Sequence, residues 1–184
     1  MLHEKIGLIL SEIQTFLPSL DEEETELFIT EIRHANKIVG IGAGRVGMAV
    51  RAFIMRLKHL GLDSYFLGDS NVPGIGHGDL CLVASGSGET QSIFDLVKTA
   101  KQNGARIALI TGNPDSRMGQ YADTMVQLKA PSKVAHTDIR LSAQPMTTLN
   151  EQCLALLFDA LVLVLMDKTN ETHETMWGRH SNLE

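Results

Sequence analysis

Apolar residues recur along this chain in two rhythms, one helical and one strand-like, and each change of rhythm marks a boundary between predicted elements. From Leu2 to Phe16, the residues Ile6, Ile9, Leu10 and Ile13, with Leu17 just beyond, share one face, which predicts an amphipathic helix broken at Leu17-Pro18-Ser19. A second helix is expected from Asp21, which caps the first turn. Glu24 would complete a capping-box pair, and Leu27, Phe28 and Ile32 would form its apolar face. These helices carry no obvious chemistry, so packing, including packing against another subunit, is their expected role.

From Lys37 onward the pattern alternates. Lys37-Ile38-Val39-Gly40-Ile41 reads as a strand, Gly42-Ala43-Gly44-Arg45-Val46-Gly47 as a glycine loop, and a helix follows to about Leu60. Ser64 to Leu67 is the next strand, and the loop from Gly68 to Asp79 leads into a third, Leu80 to Ala84. After Ser85-Gly86-Ser87-Gly88-Glu89-Thr90, the residues Ile93, Leu96, Val97 and Ala100 predict a helix from Gln91 to Asn103. Ala105 to Thr111 and Thr124 to Leu128 read as two further strands. Alternating strands and helices imply parallel pairing with right-handed crossovers, hence an α/β three-layer sandwich with helices on both faces. In such sheets ligands bind at the carboxyl ends of the strands, where both glycine loops lie.

Lys129 to Gln144 has no regular pattern. Its Pro131, Ser132, His136 and Arg140 suggest a loop able to move over a site. Pro145 stands near the start of a long helix ending around Lys168, and the tail carries Trp177, Arg179 and His180. No repeat or linker divides the chain, so a single domain over 1–184 is expected: N-terminal helices at 1–36, an α/β core at 37–168 and a tail at 169–184.

Composition narrows the function classes. The 184 residues are 43% hydrophobic and 21% charged, as in a soluble globular protein. A net charge of −6 argues against a nucleic-acid-coating role, which needs clustered Lys and Arg. Cys81 and Cys153 sit in apolar runs without metal-ligand company, which fits core positions and a reducing, cytoplasmic setting. The N-terminus has no signal-peptide pattern. The greasy run from Cys153 to Met166 contains Asp159 and is shorter than the roughly 20 residues of a membrane span, so it reads as a core helix. No His, Cys or carboxylate spacing resembles a metal site.

The candidate chemistry centres on Ser85 to Thr90. The first amides of a helix lack internal partners and carry partial positive charge, glycines 86 and 88 allow close approach, and Ser85, Ser87 and Thr90 can donate to phosphate oxygens. An ordinary capped turn would account for one of these hydroxyls, not three. The loop from Gly42 to Gly47 matches G-x-G-x-x-G, and Asp69 lies where a ribose-binding acid could sit, so a dinucleotide module competes with a small phosphorylated metabolite. Glu151, early in the long helix, is either a solvated first-turn acid or a general base. His180, His59 and His136 are candidates for proton transfer.

Across nearly the whole chain, in order, stand GAGR (Gly42 to Arg45), AFIMRLKHLG (Ala52 to Gly61), IGHGDL (Ile75 to Leu80), SGSGET (Ser85 to Thr90), NPDS (Asn113 to Ser116), AQPM (Ala143 to Met146) and RHSNLE (Arg179 to Glu184). On these segments the sequence resembles the sugar isomerase (SIS) domain family, and within it the branch of the ribulose monophosphate pathway acting on 3-hexulose 6-phosphate. The resemblance implies a five-stranded parallel sheet of flavodoxin-like type and a homotetramer with sites at subunit boundaries. It also implies cofactor-free interconversion of 3-hexulose 6-phosphate and fructose 6-phosphate through a cis-enediol. By similarity Ser85, Ser87 and Thr90 hold the phosphate with Gly44 and Arg45 nearby, Glu151 is the base, and His180 enters a neighbouring subunit's site. Val46, Thr147 and Asn150 depart from the family pattern, which usually has serine, glycine and a bulky apolar residue there. Two other classes stay in view: a non-catalytic phosphosugar sensor and an NAD-binding oxidoreductase domain.

Overall fold

The computed structural model describes residues 1–132 and 142–183. Its elements in order are α1 (Leu2–Phe16), a 3-10 turn (Leu17–Ser19), α2 (Glu22–His34), β1 (Ile38–Ile41), α3 (Gly44–His59), β2 (Ser64–Phe66), β3 (Leu80–Ala84), α4 (Gln91–Gln102), β4 (Arg106–Thr111), a second 3-10 turn (Gly119–Tyr121), β5 (Thr124–Gln127), α5 (Thr148–Thr169) and α6 (His173–Trp177). The five strands form one parallel sheet in the order β2-β1-β3-β4-β5. This is the expected α/β sandwich. Because the chain runs outward from β1 to β2 and then returns to β3 on β1's other side, the connections at β1 and β3 diverge and leave a crevice between them.

Residues alternate between the faces of each strand, and two cores result. On one side Ile38, Leu80, Leu82, Ala108, Ile110 and Val126 pack under α2, α3 and α5; on the other Val39, Ile41, Cys81, Val83, Ile107 and Leu109 pack under α4. Phe53 of α3 stacks on Phe158 of α5, with ring centroids 4.3 Å apart, which locks these two helices together above the sheet. Burial pushes the Cys81 thiol up to about 12 and the Cys153 thiol to about 11, so both behave as inert core residues.

The N-terminal helices differ from expectation in instructive ways. Asp21 caps α2 through the amides of Glu23 and Glu24, but Glu24 does not close a capping box: its carboxylate accepts from Gln127 N at 2.8 Å, joining α2 to β5. The buried face of α2 is Phe28, Ile29 and Ile32, whereas Leu27 points outward, one position off the stripe that faces the sheet. In α1 no residue is buried, and Leu2, Ile6 and Leu10 are exposed. Glu12 nonetheless fastens α1 to the segment before α5, accepting from Ser142 Oγ, Ala143 N and Gln144 Nε2 at 2.7–2.9 Å.

The long helix begins at Thr148 rather than at Pro145, which stays in the preceding turn. At 22 residues α5 is long and apolar enough to cross a bilayer, longer than the apolar run alone suggested. Leu149, Cys153, Leu157 and Leu161 bury one side of it in the core, while Leu156, Leu163 and Val164 remain exposed. The tail forms the short helix α6, where periodicity predicts no element. Thr172 and Thr175 cap it reciprocally.

Candidate active site

A cavity of about 190 Å³ opens over the carboxyl ends of β1 and β3, at the crevice created by the strand order. Three helices start at its wall. Ala43, Gly44, Arg45 and Val46 come from the start of α3, Ser85, Gly86, Ser87 and Thr90 from the entry to α4, and Thr147, Asn150 and Glu151 from the first turn of α5. Converging helix N-termini place unpaired amides and partial positive charge around one space, which favours an anion. Of the residues that the sequence picked out, Gly44, Arg45, Ser85, Ser87, Thr90 and Glu151 are brought together here.

The hydroxyls of the second loop are arranged as donors. Ser85 Oγ accepts from Gly88 N and Ser87 Oγ accepts from Glu89 N, both at 3.1 Å, which leaves each O–H to donate elsewhere. Thr90 occupies the N-cap position of α4 but makes no side-chain cap bond, so its hydroxyl is not spent on its own helix. Gly88 sits at φ +65°, and a Cβ there would fall 1.9 Å from Ser116 Oγ, so only glycine allows the tight curl. In the first loop a Cβ on Gly47 would lie 2.6 Å from the Gly42 carbonyl, so the glycine pattern is accounted for by close strand-to-helix packing.

Glu151 is not a freely solvated first-turn acid. Its side chain is 13% exposed, Arg45 Nε donates to Oε2, and the Thr147 hydroxyl donates to Oε1 at 2.9 Å. Each carboxylate oxygen thus has one donor. Arg45, 62% exposed, has solvent on its other side and can turn toward a ligand. Asn150 is buried and donates from Nδ2 to Ala130 O at 3.2 Å, which fixes its amide against Gly86. Val46, Thr147 and Asn150, the three departures from the family pattern, therefore all stand on the cavity wall. Thr147 lies one helical turn before Glu151, and that i, i+4 spacing was a signal available in the sequence.

The remaining candidates lie elsewhere. Asp69 faces the β2 edge and pairs with Arg51, away from the cavity. His180 packs against His59, ring centroids 5.3 Å apart, and stacks on Trp177 at 5.0 Å. His59 is the last residue of α3, whereas the cavity is at the first. Fifteen helical steps at about 1.5 Å each put these histidines roughly 22 Å from the cavity of their own chain. Arg179 holds the tail there, donating from Nη1 to His59 O at 2.8 Å and to Glu171 Oε2 at 2.7 Å, and from Nη2 to Glu171 Oε1 at 2.9 Å. His136 and Arg140, with the middle of the suspected covering loop, lie outside the described residues. Among the described residues no group of three or more His, Cys, Asp or Glu could hold a metal.

The SIS domain model matches residues 31–157. A protein of Bacillus subtilis named 3-hexulose-6-phosphate isomerase is 35% identical over 98% of both chains, and one of Mycobacterium gastri with that name is 38% identical over 97% of this chain and 89% of its own. A crystal structure from Methanococcus jannaschii, described as inferring a molecular function of 3-hexulose-6-phosphate isomerase, superimposes with a TM-score of 0.83 at 29% identity, covering 98% of this chain and 99% of that one. With a match across the sheet, both glycine loops and the start of the long helix, this chain belongs to the SIS domain family.

Proposed function

We propose that this chain is a phosphosugar isomerase interconverting 3-hexulose 6-phosphate and fructose 6-phosphate through a cis-enediol. The observation that carries the reading is a cavity in which the hydroxyl-bearing loop Ser85 to Thr90 lies across from Glu151, whose carboxylate is held by both oxygens. Membership of the SIS family and the names of the relatives support it.

In this reading Ser85, Ser87 and Thr90 hold the phosphate with the start of α4, and Gly44 and Arg45 close the other side. Glu151 takes the proton from C2 of the 3-ketose and returns it to C3. The O2 proton passes to O3 as the carbonyl moves to C2. One carbon is oxidised as its neighbour is reduced, so no external electron carrier enters the balance. The chain acts in the cytoplasm as a homotetramer, in one domain over 1–184, without nucleic-acid or membrane partners. Exposed Leu156, Leu163 and Val164 of α5 and Leu2, Ile6 and Leu10 of α1 supply apolar surface for assembly. His180, remote from its own cavity, serves that of a neighbouring subunit.

Solvent deuterium exchange into fructose 6-phosphate tests the reading. Incorporation at C3 is expected. Exchange at C1 instead would reassign the sugar chemistry, and no exchange at all, with binding intact, would favour a sensor. Thermal stabilisation by NAD but not by fructose 6-phosphate would return the dinucleotide reading, which Asp69 in its pairing with Arg51 does not support.

A further inference from the structure

The phosphate loop carries a carboxylate of its own. Glu89 lies between Ser87 and Thr90, two residues of the cavity wall, without lining the cavity itself, and an uncompensated negative charge so near in the loop would oppose the binding of a phosphate. The structure deals with this charge from behind. Arg117 donates from its backbone N to Glu89 Oε1 at 2.8 Å and from Nε to Oε2 at 2.6 Å, while Nη2 reaches the Glu89 carbonyl at 2.8 Å and Nη1 reaches Gln91 Oε1 at 2.9 Å. The guanidinium lies over the Phe94 ring, 4.6 Å from its centroid, so it is held on two sides.

The same segment takes up the loop's carbonyls. Gly86 O accepts from Gly112 N at 3.0 Å, Ser87 O from Asn113 Nδ2 at 3.4 Å, and Gly88 O from Met118 N at 3.2 Å. With Glu89 O on Arg117, four successive carbonyls are bound by residues 112–118. The negative ends of these peptides are thereby engaged by that segment, while the loop's hydroxyls remain at the cavity wall.

We propose that Arg117 is a positioning residue for anion binding: by clamping the Glu89 carboxylate and carbonyl, it cancels the loop's own negative charge so that the loop can accept a phosphate. The inference rests on Ser85 to Thr90 being the phosphate anchor. It adds that the anchor depends on a counter-charge which never touches the ligand. Exposed ion pairs contribute little to stability, here with side chains 42% and 37% exposed, so the pair can be removed with the fold intact.

The test is fructose 6-phosphate affinity by calorimetry for the wild-type chain, Arg117→Met, Glu89→Gln and the double variant. Methionine keeps an apolar stem over Phe94. Arg117→Met is expected to weaken binding roughly tenfold, as a like charge near a phosphate would even when partly screened by solvent. Glu89→Gln alone should bind at least as tightly as wild type, and the double variant should recover to within about threefold of it, since no charge is left to cancel. If the double variant binds as poorly as Arg117→Met, or Glu89→Gln alone loses about tenfold, Arg117 merely braces the loop and the proposal falls. If Arg117→Met binds normally, the proposal also falls while the anchor stands. Failure of the wild-type chain to bind fructose 6-phosphate overturns the anchor reading itself, and this inference with it.

Discussion

Arg45 and Glu151, far apart in sequence, meet as an ion pair at the wall of the cavity, where the first turns of α3 and α5 converge. The pair joins a group proposed to hold phosphate to the group proposed to move a proton. In the proposed reaction an incoming phosphate would compete for the guanidinium and release one oxygen of Glu151. The other oxygen stays on Thr147.

Glu151→Gln should therefore lower kcat by a factor on the order of 10² to 10⁴, the usual worth of a positioned base, with KM changed far less. Thr147→Val removes one hydrogen bond to a charged group and should lower kcat by roughly ten- to a hundredfold. Thr147→Ser restores the hydroxyl and should recover most of that loss. Steady-state kinetics on the three variants checks the order of effects, and a fully active Glu151→Gln would send the search to another base.

Ser87→Ala is expected to act the other way. Its hydroxyl accepts from Glu89 N and has its proton left for a ligand, so its loss should raise KM about tenfold while kcat changes little. A drop in kcat at unchanged KM would assign Ser87 to the chemistry rather than to the anchor.

The tail offers a pH-dependent contact. Arg179, followed by the Thr175 hydroxyl, holds the Glu171 carboxyl down to about 2, against 4.5 for a free glutamate. A depressed carboxylate stabilises the docked tail above its unfolded value and loses that contribution as pH falls toward the folded one. Docking should weaken between about pH 4.5 and 2. The chain's single tryptophan, Trp177, stacks on His180, so its fluorescence should change across that window. Glu171→Gln should show the undocked signal at neutral pH.

If His180 serves a neighbour's cavity, two inactive variants can repair each other. Chains carrying His180→Ala and chains carrying Glu151→Gln, refolded together, should form mixed assemblies in which some cavities hold both an intact Glu151 and an intact His180. Activity above that of either variant alone is the expected result. No recovery despite mixed assembly would remove His180 from the reaction.

Much of this was legible in the sequence because its causes are local. Buried parallel strands such as Leu80 to Ala84 are continuous apolar runs, and the glycines and hydroxyls of Ser85 to Thr90 announce a helix start suited to an anion. The meeting of Arg45 with Glu151 depends on how α3 and α5 lie against one sheet, which no short window encodes. The same holds for Arg117 behind Glu89, and for Glu24, which bonds the amide of Gln127 instead of its own helix start. Leu27 falls outside the buried face because the helical stripe at α2 admits two neighbouring faces, and contact with the sheet selects the one containing Ile29. The helix α6 is too short for periodicity, and its reciprocal threonine cap was the available cue.

The distance between the two ends of α3 has a consequence for how this protein would be switched on. A chain whose proposed base stands at one end and whose proposed helper histidine is tied to the other cannot complete a reaction centre by folding alone. Specific activity should then depend on protein concentration, falling on dilution as assemblies come apart and returning on reconcentration. Freshly made chains would stay idle until enough of them had accumulated to find one another.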